Sequence, residues 1–74
     1  MSVIKTGTNK AHDDAISLAE GVRQQSTAVA TSQSAVRTAD LVFYRAVRAS
    51  CIANNNSAGI EQCNNALREL GVWV

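Results

Sequence analysis

The chain contains no proline, so the strongest helix breaker is missing and an all-helical reading meets no obstacle from it. Aromatic residues are scarce, with one Phe, one Tyr and one Trp. Much of the 46% apolar content is alanine, which buries little area. A chain of 74 residues hides only about 60% of the surface its unfolded form exposes. Chains shorter than roughly 70–80 residues usually draw on a disulfide, a metal or oligomerisation. Oligomerisation is therefore the first expectation.

Other absences narrow the function classes. No apolar run approaches the ~20 residues that span a bilayer, so no membrane span is expected. Seven Lys/Arg stand against six Asp/Glu, a formal net charge of +1. That balance speaks against a dedicated nucleic-acid binder, which must neutralise phosphates, and against a polybasic membrane anchor. The opening "MSVIKTGTNK" lacks the apolar core of a signal peptide; a cytoplasmic or virion location is expected.

What is present is helical periodicity. Residues 1–8 read as an extended arm, Thr8 or Asn9 as an N-cap, and Asp13 and Asp14 as first-turn acids that favour the helix dipole. From there a seam alternates by three and four: Ala11, Ala15, Leu18, Val22, Gln25, Val29, Ser32, Val36, Ala39, Phe43, Ala46 and Ser50. The face that includes Asp13, Ser17, Glu20, Gln24 and Thr27 is polar. Gly21 is a candidate kink but does not by itself end a helix. The pattern predicts one long helix over about 9–53, and some 42 such residues would run roughly 63 Å. A compact globule of this length has a radius of gyration of only about 11 Å.

"NNNSAG" then breaks the pattern with residues that turn and cap. A second helix is expected from about 59 to 70, carrying Ile60, Cys63, Leu67 and Leu70 and closed by Gly71 in a Schellman stop. Residues 9–74 then form one domain, a lopsided all-α hairpin. Its long arm outruns its short one, so its remaining seam is expected to pack within an oligomeric helical assembly.

Few residues carry chemistry. "HDD" at His12 to Asp14 does not share a helix face, and His12 reads as part of a solvated first turn. Cys51 and Cys63 lack the further ligands that zinc needs. A thiol nucleophile needs a base, and in a single long helix His12 lies at the far end. Neither a catalytic site nor a cofactor or metal site is expected, nor a small-molecule substrate. Opposite each other in a hairpin, Cys51 and Cys63 are candidates for a disulfide or for two buried thiols. Arg37, Arg45 and Arg48 read as a solvated face or as partners of Asp40, Glu61 and Glu69. Trp73 is either a staple on its own hairpin or an anchor in a neighbour.

The chain thus reads as a non-enzymatic structural protein, a small subunit of a phage virion or filament. It would meet copies of itself or other structural chains through Val22, Val29, Val36, Leu41, Phe43, Val47 and Trp73. A secreted helical-hairpin factor and a small regulatory partner-binding module are the alternatives. Exported proteins of the W-x-G type share the size, but Trp73 is followed only by Val74, and the Pro-containing turn of needle subunits is missing.

Overall fold

A computed structural model describes residues 5–73 and is all-helical, with no strand among them. Residues 1–4 of the expected arm, and Val74, lie outside the described residues. Three helices follow in order: α1 (Lys10–Val29), α2 (Gln33–Ala53) and α3 (Ser57–Glu69).

The single long helix is therefore corrected to two. α1 stops at Ala30, whose ψ of 136° leaves the helical region and whose N–H turns back to the Thr27 carbonyl. Ser32 restarts the chain as an extended residue (φ −151°, ψ 160°) whose hydroxyl accepts from Ala35 N–H at 3.2 Å. That capping bond satisfies an amide with no partner inside the helix. Neither Gly nor Pro is needed, because Thr and Ser form local backbone bonds that compete with helix continuation. Folding back also shortens the molecule. Its longest axis is 37 Å and its radius of gyration 12.1 Å, near the compact value rather than that of a rod. Gly21, the expected kink, lies inside α1 without ending it.

α1 runs antiparallel to α2, since Asn9 meets Asn54 and Arg23 meets Asp40. α3 returns antiparallel along α2, with Arg48 bonded to Asn64 and Arg37 to the Leu70 carbonyl. α2 is thus the central helix, with α1 and α3 each packed along it. Its core gathers Phe43, Val47 and Cys51 with Ile16 of α1 and Cys63 of α3, and Ala19, Tyr44 and Ile60 pack against them.

The seam holds in α2, where Ala39 and Phe43 are buried, but not in α1. There the core face is His12, Ile16, Ala19 and Arg23, while Ala15, Leu18 and Val22 point outward. Once the chain folds back after Val29, the faces of α1 and α2 need not lie in one continuous register.

Both ends of the hairpin follow local chemistry. Asn55 takes the left-handed conformation (φ 55°) between the Asn54 C-cap of α2 and the Asn56 N-cap of α3. α3 starts at Ser57, two residues earlier than expected, because the Asn56 side chain accepts from Gly59 N–H. At the other end, Gly71 sits at φ 87°. Val72 N–H reaches the Leu67 carbonyl and Gly71 N–H the Arg68 carbonyl, both at 2.9 Å, the paired bonds of a Schellman motif. At the N-terminus, Asp13 accepts from the backbone N–H groups of Thr6 and Gly7. Lys5 pairs with Glu20 at 3.1 Å, so this part of the arm folds back along α1.

Candidate functional site

The start of α1, the end of α2 and the start of α3 meet in one polar node. Asn9 caps α1 by accepting from His12 N–H, and its amide donates to Asn54 Oδ1 at 2.7 Å. Asn54 in turn donates to the Ser50 carbonyl. At the centre lies the His12 side chain, which is fully buried. The expected solvated first turn is thus corrected: the break at residues 30–32 carries His12 back to the far end of α2.

The partners of His12 fix its tautomer. Asn56 Oδ1 accepts from Gly59 N–H, which leaves its Nδ2 facing His12 Nε2 at 3.3 Å. An amide nitrogen only donates, so Nε2 accepts and the ring proton sits on Nδ1. Nδ1–H then donates to Ser50 Oγ at 2.7 Å. Every buried side-chain nitrogen and oxygen among the described residues has a partner.

Cys51 Sγ lies 4.0 Å from His12 Nε2. The base expected to be remote therefore stands beside a thiol, and Cys63 belongs to the same buried cluster. Residue types and proximity suggest a nucleophile, but the electrostatics oppose it. Burial pushes the Cys51 thiol up, against a downward pull from the Cys63 hydrogen bond. Cys63 is pushed up to about 11, by burial first, then by the charge of Cys51 and the hydrogen bond it shares with it, with Arg48 pulling the other way. The thiolate is the reactive form, and these surroundings suppress it. Among the described residues no three His, Cys, Asp or Glu side chains are grouped so that they could hold a metal ion.

Gly59 is part of the same arrangement. A Cβ at that position would stand 2.5 Å from Cys51 Sγ and 2.9 Å from Asn56 Nδ2. Helix α3 therefore seats the Cys51 sulfur directly against its backbone. The sequence marks Gly59 only as a turn residue.

The second feature is a groove of about 360 Å³ between α1 and α2, lined by Ala15, Leu18, Ala19, Val22, Val42 and Ala46 among others. Leu18 is 71% exposed, Val22 49% and Val42 54%. Arg23 lies at its edge, its guanidinium 4.7 Å from the Phe43 ring centre and its Nε 2.8 Å from Asp40.

The residues expected to meet a neighbour divide accordingly. Val22, Val29 and Trp73 are exposed, Trp73 by 94%, so the indole is not a staple on its own hairpin. Val36 and Leu41 are half-buried. Phe43 and Val47 are buried in the chain's own core. Of the arginines, Arg37 and Arg48 bridge α2 to α3 through neutral oxygens, while Asp40 pairs with Arg23 of α1. No helix of the described residues is long and apolar enough to cross a membrane. No family model matches this chain, nor does any curated protein or solved structure.

Proposed function

We propose that this chain is a non-enzymatic assembly subunit, a small helical protein that packs against copies of itself or other structural chains in a larger particle. The observation that carries the reading is the α1–α2 groove. Its rim exposes Leu18, Val22 and Val42 together, with Val29 further along α1 and also exposed. Monomeric soluble proteins rarely leave such residues contiguous and open. The stretch from Gln24 to Val36 has no charged side chain, so a neighbour can cover it without desolvating an ion. The buried thiols, held protonated, favour no catalytic reading. Particles built from many small helical copies, such as filaments or virion shells, suit a subunit of this kind.

Light scattering on the purified chain across a concentration series tests the proposal. Large homo-oligomers, or a chain that orders only with partners, support it. Leu18→Lys together with Val42→Lys should reduce association while leaving helical content intact. A folded monomer with sharp cooperative melting, unchanged by the double substitution, refutes it.

A further inference from the structure

The chain has two cysteines, and the fold brings these two together. Cys51 stands in the last turn of α2 and Cys63 midway along α3, facing each other across the Asn54–Asn56 turn. Both are buried in one cluster. The turn itself closes onto this point, since Asn56 N–H donates to the Cys51 carbonyl at 2.8 Å. Gly59 leaves room for the Cys51 sulfur on the α3 side, and His12 lies against it from α1. The assembly reading uses neither thiol.

We infer that Cys51 and Cys63 are a reversible thiol–disulfide site, a clasp across the α2–α3 hairpin that a low-molecular-weight disulfide of the glutathione type closes. The reaction balances without any group beyond that oxidant. Once α3 has opened, Cys51 gives up its proton to solvent. Its thiolate attacks one sulfur of the oxidant, the oxidant's S–S bond breaks, and one small thiolate leaves. Cys63 then gives up its proton and attacks Cys51 Sγ in the mixed disulfide, expelling the second small thiolate. Two protein thiols are oxidised, one small disulfide is reduced, and the two protons end on the two released thiols.

Packing sets the rate of this exchange. Cys51 is fully buried and Cys63 nearly so, so the oxidant enters when α3 swings from α2. That motion also breaks the bond between Asn56, the N-cap of α3, and His12 of α1, and parts Cys63 from the core it shares with Ile16. The exchange is therefore slow in both directions, and a closed clasp persists. Closing the loop from Cys51 to Cys63, 13 residues counted inclusively, removes conformations from the unfolded chain and suppresses opening on the order of a hundredfold.

The test uses the full chain. It is incubated in glutathione buffers from fully reduced to fully oxidised, quenched with acid, alkylated with iodoacetamide and read by intact mass. The expected result is reversible conversion to a monomeric species two hydrogens lighter that takes up no alkyl group. In that species, amide exchange at Cys63 and Leu67 slows on the order of a hundredfold relative to the reduced chain. Cys63→Ala should instead stop at a single glutathione adduct on Cys51. Two unalkylated-adduct products would overturn the inference: glutathione on both cysteines, or chain-to-chain disulfides. So would two free thiols in the most oxidising buffer, or a closed bond that leaves α3 exchange unchanged.

Discussion

Replacing Gly59 with alanine tests the packing at the polar node, because two opposed effects predict opposite signs. In a helix interior, Gly→Ala ordinarily stabilises by about 1 kcal/mol. Gly59 lies in the first turns of α3 with ordinary helical geometry, so propensity alone predicts a gain. The added Cβ, however, would meet Cys51 Sγ at 2.5 Å and the Asn56 side chain at 2.9 Å. The sulfur has little room to give way, since His12 and Cys63 already touch it. Asn56 cannot turn aside without losing its bonds to Gly59 N–H and His12. Overpacking of this kind costs roughly 1–3 kcal/mol, which outweighs the propensity gain. The net expectation for Gly59→Ala is a loss of about 1 kcal/mol, or about 4–8 °C in Tm for a domain of this size.

Two companions make the sign decisive. Gly21 is also helical, exposed, and has nothing within 4 Å of its would-be Cβ, so Gly21→Ala should stabilise by about 1 kcal/mol. In a Cys51→Ala background the sulfur is gone, and Gly59→Ala should recover most of its loss as a coupling of about 0.5–3 kcal/mol. Urea and thermal unfolding followed by circular dichroism measure all four chains. If Gly59→Ala is as stabilising as Gly21→Ala, Cys51 does not sit against α3 and the node is wrongly placed.

Three further outcomes follow from the same geometry. His12→Ala removes a fully buried ring, takes the partner from half-buried Ser50 Oγ and Asn56 Nδ2 and leaves a cavity, so urea unfolding should register a loss of about 2–4 kcal/mol; a loss below about 1 kcal/mol would refute the buried placement. Burial raises Cys63 from 9.0 to about 11, so the folded chain holds a proton that the unfolded chain releases. Its contribution is fully present below pH 9 and lost as pH rises toward 11, by roughly 2–3 kcal/mol; Cys63→Ala should lack that part of the decline in a pH series of unfolding curves. Ser32→Ala removes the cap that restarts α2 and should cost about 1 kcal/mol, with a neutral result in the same assay showing that the cap does not hold the break.

The legible parts of the fold were those with local causes. Asn54–Asn56 turn because Asn tolerates the left-handed backbone, and α3 stops because Gly71 does. The missed break at Ala30–Ser32 has weaker local signals, a Ser cap following β-branched Thr31, which a continuous apolar seam outweighed. Everything about the site followed from that miss. With one long helix, His12 and Cys51 stand at opposite ends; with two, they are 4.0 Å apart. Cys51 opposite Cys63 was legible because only a short turn separates them. The Asn-rich turn held a further clue, since its amides are natural partners for a buried imidazole.

The misread face of α1 bears on function most directly. Counting apolar residues favours Ala15, Leu18 and Val22 for the core over His12, Ile16, Ala19 and Arg23, yet the structure turns the second set inward, burying His12 and Ile16 and half-burying Ala19 and Arg23. A rotation of α1 by one residue, about 100°, would nearly exchange the two faces. What fixes the choice is polar: Asn9 to Asn54 at one end, His12 to Ser50 beside it, and Arg23 to Asp40 further along. These bonds are directional where apolar contact is not, and the His12 and Asn9 groups leave no spare buried polar atom to tolerate a slip. The consequence is an α1 helix that keeps its more apolar stripe for the outside. In a free monomer that arrangement wastes burial that a chain this small needs. It becomes favourable when a neighbour covers Leu18, Val22 and Val42, which is why the orientation of α1 argues for assembly more strongly than exposure of any one residue.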